Sequence, residues 1–209
     1  MLTERRSYIF MSIKENEVKG IYCLKSNLEN LGKNLIDNYN ESSKILELFD
    51  RLGASVLRIE PDIEKIKILR KENPLQCSIQ ECIEYEEDDE GEGTADYIFL
   101  FEEDNKWYVS KRDTEIGRFS EFYLLSTVLN RLDVLNKIVD FLKNEEILSF
   151  KVTDDKNQPG VIFSKGGKSI FIRMYLESEI KMHLESEKGE KETEEIESFE
   201  EFLEIYRGM

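Results

Sequence analysis

The alternation of apolar and polar residues divides the chain into short strands and a few clear helices. Ser7 to Ile13 reads as a strand, Lys14-Glu15-Asn16-Glu17 as a polar turn, and Val18 to Leu24 as a second strand. Short aromatic and β-branched runs around such a turn predict a hairpin. Leu28, Leu31, Leu35, Ile36 and Tyr39 then recur at helical spacing. Asn40 to Ser43 breaks that helix, and Ile45, Leu46, Leu48, Phe49 and Leu52 form a second one that stops at Gly53, a C-terminal cap. Val56–Ile59 and Ile66–Leu69 read as extended, with Pro61 between them. Ser78-Ile79-Gln80-Glu81 has the capping-box order, so a helix is expected from Ile79 to about Glu87, with Cys82 and Ile83 inward. Asp96–Phe101 and Lys106–Ser110 flank a turn-rich connection and form the clearest hairpin. Residues 111–120 read as a linker, and the apolar spacing of Leu125, Val128, Leu129, Leu132, Leu135, Ile138, Val139 and Leu142 predicts a helix from Glu121 to Asn144.

Beyond that helix the period changes to two. Leu148, Phe150 and Val152 alternate with polar residues, and Asp154–Gly160 is a turn containing Pro159. Val161–Ser164 and Ser169–Leu176 flank Lys165-Gly166-Gly167-Lys168, a tight-hairpin signal because glycine accepts the positive φ of primed turns. Ile180, Met182 and Leu184 alternate as a further strand, and Glu185–Glu195 reads only as an acidic stretch. Ser198-Phe199-Glu200-Glu201 is a second capping box, opening a terminal helix with Phe199, Phe202, Leu203 and Tyr206 inward. Hairpin signals without regular strand–helix–strand alternation predict an α+β fold of mainly antiparallel sheets with packed helices. The change of pattern divides it into two small units, residues 1–118 and 119–209. Ile21, Tyr22, Cys23, Leu35, Phe99, Trp107, Leu132 and Phe171 are the expected core.

Charge changes the picture more than composition does. The 209 residues are 35% charged and carry a net charge of −16. Such a chain repels nucleic-acid phosphates and anionic lipid heads, so direct binding to either is not expected, and a basic protein partner is. Residues 1–120 hold 26 acids and 17 bases and residues 121–209 hold 19 and 12, so charge marks no boundary. No window reaches the roughly 18 apolar residues of a membrane span, and a cytoplasmic location is expected. Three cysteines, Cys23, Cys77 and Cys82, form a sparse, odd set suited to free thiols in a reducing compartment.

Candidate chemistry is thin. Gly167-Lys168-Ser169 mimics the end of a phosphate loop, but Ile162 stands where the leading glycine belongs and a strand follows instead of a helix. A Ser-His-Asp or Cys-His site would have to use His183, the one histidine, which reads as lying on the polar face of a strand. Cys77 and Cys82 lack zinc-knuckle spacing. No catalytic residue, metal site or cofactor is assigned. The densest feature is Glu84–Glu92, with seven acids in nine residues. It lacks the ligand order of a calcium loop. Acids at a helix C-terminus oppose the macrodipole, so this run is expected to fray and to offer Glu86, Glu87, Asp88, Asp89, Glu90 and Glu92 to a basic partner.

Arg6-Ser7-Tyr8-Ile9, Val18-Lys19-Gly20-Ile21-Tyr22-Cys23, Gly32-Lys33 through Leu35 to Tyr39, and the Tyr97–Phe101 and Lys106–Val109 hairpin resemble an uncharacterised family of small phage and prophage proteins, over about half the chain. In that family the cysteine is usually followed by a His-Trp-Asp-Gly run, where this chain has Leu24-Lys25-Ser26-Asn27. The resemblance implies a phage or mobile-element setting and supplies no catalytic residue. The expected function is therefore a non-enzymatic acidic inhibitor, of anti-CRISPR or other anti-defence type, that occupies a basic nucleic-acid-binding site on a host protein. An immunity or antitoxin protein that neutralises a basic toxin fits the same physics. An enzyme with a dispersed carboxylate site is the remaining alternative.

Overall fold

The computed structural model describes residues 5–14, 16–88, 95–113, 116–145, 150–153, 159–176, 180–186 and 191–209. The chain divides into two compact units, Met1–Ser126 and Thr127–Met209. The fold is α+β, with mainly antiparallel sheets.

The first unit runs β1 (Arg5–Lys14), β2 (Glu17–Ser26), α1 (Leu28–Asn38), α2 (Ser42–Leu52), β3 (Ser55–Val56), a 3-10 turn (Ile63–Lys65), β4 (Ile68–Arg70), β5 (Leu75–Ser78), α3 (Ile79–Asp88), β6 (Tyr97–Phe101), β7 (Trp107–Lys111) and β8 (Tyr123–Leu124), and reaches the first turn of α4 (Leu125–Asn144). Its sheet is ordered β4-β3-β2-β1-β6-β7-β8, with β5 also pairing β2. Two pairings are parallel, β1 with β6 and β2 with β3, and α1 and α2 form the crossover between the latter. Neither parallel pairing is visible in the sequence, because both join segments far apart in the chain.

All five residues of β6 are buried, as are Ile9, Phe10 and Met11 in succession on β1, so both faces of the sheet are covered there. One face carries Ile9, Ile21, Phe99 and Val109 in a cross-strand row. The α1–α2 pair lies over it: the Trp107 indole N–H donates to the Tyr39 carbonyl at 2.7 Å, and Lys19 Nζ reaches Asp50 at 2.9 Å. On the other face Phe10, Val18, Ile98 and Leu100 cluster with Cys82, and Ile79 and Ile83 of α3 pack against them. The capping box at Ser78 has both legs: Glu81 N–H donates to Ser78 Oγ at 3.1 Å, and Ser78 N–H to the Glu81 carboxylate at 3.0 Å.

Gly20 is set by the cross-strand register. It stands opposite Phe10, whose ring lies flat across it. A Cβ there would meet Phe10 Cδ1 at 2.2 Å and the Ile9 carbonyl at 2.3 Å. Tyr8 stacks beside Phe10, its centroid 5.3 Å away, and meets Tyr22 edge-on at 5.0 Å. Tyr22 is therefore half-buried, contrary to expectation. Ile21 and Cys23 take the α1–α2 side, and strand alternation sends Tyr22 to the opposite side.

The second unit comprises the rest of α4, then β9 (Phe150–Thr153), β10 (Gly160–Lys165), β11 (Lys168–Met174), β12 (Ile180–Ser186), β13 (Lys191–Ile196) and α5 (Phe199–Gly208). Its sheet follows chain order, β13-β12-β11-β10-β9, with antiparallel pairing throughout. Gly166 and Gly167 turn between β10 and β11 with φ of 58° and 74°, the backbone of a primed hairpin turn. Val161, Phe163, Ile170, Ile172, Met182 and Leu184 face inward. Phe141 of α4 meets Phe199, Phe202 and Tyr206 of α5 edge-on, at 5.1–6.0 Å. Lys165 Nζ caps the C-terminal end of α5 through the Tyr206 carbonyl, where the helix dipole favours a cation.

Several boundaries differ from the pattern reading. Residues 123–124 pair with β7 as β8, so α4 begins at Leu125 and not at Glu121. Leu75–Ser78 adds β5 to β2. Lys191–Ile196, which looked like an acidic stretch, is a strand. Phe171 is half-buried and not core, because it lies on the outer side of β11 between Ile170 and Ile172, which take the inner side.

Two substitutions test this packing. Trp107→Ala removes a ring that is 3% exposed together with its hydrogen bond, and should cost roughly 3–5 kcal/mol in denaturant unfolding. Gly20→Ala should cost about 1–3 kcal/mol or more, and the double variant Gly20→Ala/Phe10→Leu should lose less than the sum of the single changes.

Candidate functional site

The acidic run proposed from sequence falls where little is described. The backbone of Glu86, Glu87 and Asp88 forms the last turn of α3. Their side chains, and Asp89, Glu90 and Glu92 altogether, lie outside the described residues.

The described acidic surface is in the second unit. β13 is an edge strand, and Lys191 through Glu195 are exposed on both of its sides. Glutamate and lysine are poor strand formers. Here cross-strand pairing holds them: Lys191 lies 3.5 Å from Glu185, Glu192 3.5 Å from Lys168, and Glu195 3.9 Å from Lys181. Such pairs contribute a few tenths of a kcal/mol to about 1 kcal/mol each. Glu194 has no ion pair among the described residues. Its neighbour Ile196 is buried and continues into Ser198, whose Oγ accepts from Glu201 N–H at 3.2 Å to start α5. The carboxylate of Glu201 reaches back to the Glu197 N–H at 2.8 Å, one residue before the cap itself.

Two recesses are formed by described residues of the first unit. One, of about 260 Å³, opens where β2 passes into α1 and is lined by Lys25, Ser26, Asn27, Asn30, Asn34 and Arg58 among others. Asn27 Oδ1 caps α1 by accepting from Asn30 N–H at 2.7 Å, and Asn34 Nδ2 donates to the Ile59 carbonyl at 3.0 Å. The lining mixes amides, the cationic Lys25 and Arg58 and the acidic Glu60. Lys25, Ser26 and Asn27 belong to the short run singled out after Cys23. The other recess, about 600 Å³ and open, is lined by Ser12, Asn16, Val18, Ile79, Leu100 and the acids Glu102, Glu103 and Asp104. Burial raises the Glu102 carboxyl, a hydrogen bond with Ser12 opposes this, and the neighbouring Asp104 and Glu103 add to it.

The thiols are poorly placed for nucleophilic work. Burial pushes Cys23 up to about 11, and it also raises Cys77, helped by the Glu81 charge. Among the described residues no group of three or more His, Cys, Asp or Glu could hold a metal ion. Lys168-Ser169 opens strand β11, so the backbone there forms a hairpin and not a phosphate loop. No described helix is long and apolar enough to cross a membrane.

His183 stands on the outer side of the second sheet, opposite Phe171 on β11 and Thr193 on β13, and its Nδ1 is 3.0 Å from Thr193 Oγ1. Burial lowers its pKa, and the nearby charges of Arg173 and Lys181 lower it further. The pattern reading finds His183 but not Arg173, because nothing in the residue order distinguishes a cation on this side from a solvated one. No family model matches the chain, nor does any curated protein or solved structure.

The imidazole of His183 should therefore titrate below its ordinary 6.5 in NMR spectra. Arg173→Gln should move the midpoint up. The unfolded chain holds the extra proton more tightly, so the stability linked to this group is present above about 6.5 and is lost as pH falls through the folded pKa. In His183→Gln that part of the pH dependence should vanish.

Proposed function

We propose that this chain is a non-enzymatic interaction protein that places acidic side chains against a basic surface of a partner protein, such as a groove built for nucleic acid. The observation that carries the reading is the edge strand β13, where Glu192, Glu194 and Glu195 project on both sides of a free sheet edge. A free edge offers unpaired backbone groups to another strand. Glutamates there repel a second copy of the same edge and attract lysine and arginine, so charge selects the partner. The net charge of −16 extends the same preference to longer range and speeds encounter with a basic target. The run Glu86, Glu87, Asp88, Asp89, Glu90 and Glu92 is the second acidic element assigned to this role. The resemblance of the first half to phage and prophage proteins supports an anti-defence inhibitor, in the host cytoplasm, as the biological form. Neutralisation of a basic toxin is the same contact in another setting.

The reading predicts how binding responds to charge removal. Capture of partners from extracts of cells carrying candidate defence systems should retain a basic protein at 0.05 M salt, on the order of the low-screening regime, and lose it towards 0.5 M. Glu192→Gln/Glu194→Gln/Glu195→Gln, or neutralisation of the six acids between 86 and 92, should weaken that capture about tenfold while the melting curve stays nearly unchanged. Retention of the same proteins by both neutralised variants would reduce the acids to a solvating surface.

A further inference from the structure

The outer side of the second unit's sheet has a character opposite to that of the chain as a whole. Two cross-strand rows define it. One runs Lys151, Ile162, Phe171, His183 and Thr193, and the other Gly160, Arg173, Lys181 and Glu195. Ile162, Phe171, Arg173, Lys181 and His183 are all only half-buried. On the inner side the central strands β10, β11 and β12 bury Val161, Phe163, Ile170, Ile172, Met182 and Leu184, so the two sides are not equivalent.

The charges on this side do not cancel. Glu195 pairs with Lys181 at 3.9 Å and Glu185 with Lys191 at 3.5 Å, so each acid is matched by a lysine. Among the described residues Arg173 and Lys151 have no ion pair. The Arg173 guanidinium stacks over Phe171, 4.2 Å from the ring centroid, and its Nε–H is buried with no hydrogen-bond acceptor. Lys181 Nζ also lies 5.9 Å from the ring of Tyr175. Opposite Arg173 stands Gly160, which adds no side chain to crowd the guanidinium. A stacked guanidinium is pre-organised, because the ring fixes its plane, and a carboxylate would meet it at its Nη groups. Burial is the main cause of the lowered His183 pKa, and the charges of Arg173 and Lys181 add to it.

We propose that this sheet side, centred on Arg173 and flanked by Lys181 and His183, docks a short extended peptide segment bearing carboxylates, with Arg173 as the anchor. Charge complementarity selects the occupant. Nucleic acid fits less well, because the rings that could stack bases are already covered by Arg173 and Lys181, and a polyphosphate meets the repulsion of the whole chain along its length. A segment with two or three carboxylates meets little of that repulsion, and alternate residues of an extended chain match the spacing of the strands beneath. The site shares only Glu195 with the acidic edge, and Glu192 and Glu194 stand on the other side of β13.

Fluorescence anisotropy on the full-length chain tests it, with a labelled Glu-Ser repeat peptide, its Gln-Ser counterpart and an oligothymidine of equal charge as probes. The Glu-Ser peptide should bind, the Gln-Ser peptide should not, and the oligothymidine should bind at least about tenfold more weakly. Arg173→Gln should weaken Glu-Ser binding about tenfold or more without lowering the melting temperature, because it removes a cation with no hydrogen-bonded partner at Nε. Arg173→Lys should restore only part of the affinity, and Glu192→Gln/Glu194→Gln should leave it unchanged. Failure of the Glu-Ser peptide to bind, equal binding by wild type and Arg173→Gln, or tighter binding of the oligothymidine would each overturn the proposal.

Discussion

The first unit depends on the parallel pairing of β1 with β6, Ser7 through Met11 against Tyr97 through Phe101. The two strands are separated by most of the unit's length, so their contact closes a long loop, and the entropy of that closure has to be met by burial. Both sides of the pair supply it. Ile9 and Phe99 face α1 and α2, while Phe10, Ile98 and Leu100 face α3. The second side closes only because Gly20 admits the Phe10 ring against its backbone. A side chain there would push the ring away from Tyr8 and Val18 and open the cluster that receives α3.

Charge is arranged so that this core carries little of its cost. Many of the described acids lie on exposed helix surfaces, at turns and on the edge strand β13, where water screens them. The cations are distributed unevenly. Some stand beside a carboxylate at 2.8–3.9 Å, as in Lys19–Asp50, Lys33–Glu29, Lys143–Asp140 and Lys181–Glu195. Arg173 does not, and it rests on an aromatic ring instead. The acidic edge and the Arg173 side, to which we assign partners of opposite charge as proposals, belong to one sheet.

Elements governed by local rules are legible in the residue order. The capping boxes at Ser78 and Ser198, the Asp96–Ser110 hairpin, the Gly166-Gly167 turn and the burial of Trp107 all follow from neighbours within a few positions. Elements made by distant pairing are not. β5 and β13 have compositions that do not favour strands, and they exist because β2 and β12 offer an edge to pair with. Phe171 shows a related limit. A period of two reveals a strand but not which side is covered when each side carries large apolar groups, so Phe171 reads as core and the Arg173 side is hidden. The acidic run near Asp88 is conspicuous in the residue order, yet the acidic surface with defined geometry is β13.

Apolar burial holds the fold together, and the role proposed for the surface charge is recognition. Equilibrium urea unfolding of the full chain over a range of sodium chloride concentrations, from about 0.02 to 0.5 M, separates these roles most directly, because screening acts on exposed charges and hardly on the core. The unfolding midpoint should stay constant or rise as the self-repulsion of a −16 chain is screened. A steady fall in the midpoint with added salt would show that the ion pairs hold the fold together, and would contradict the account.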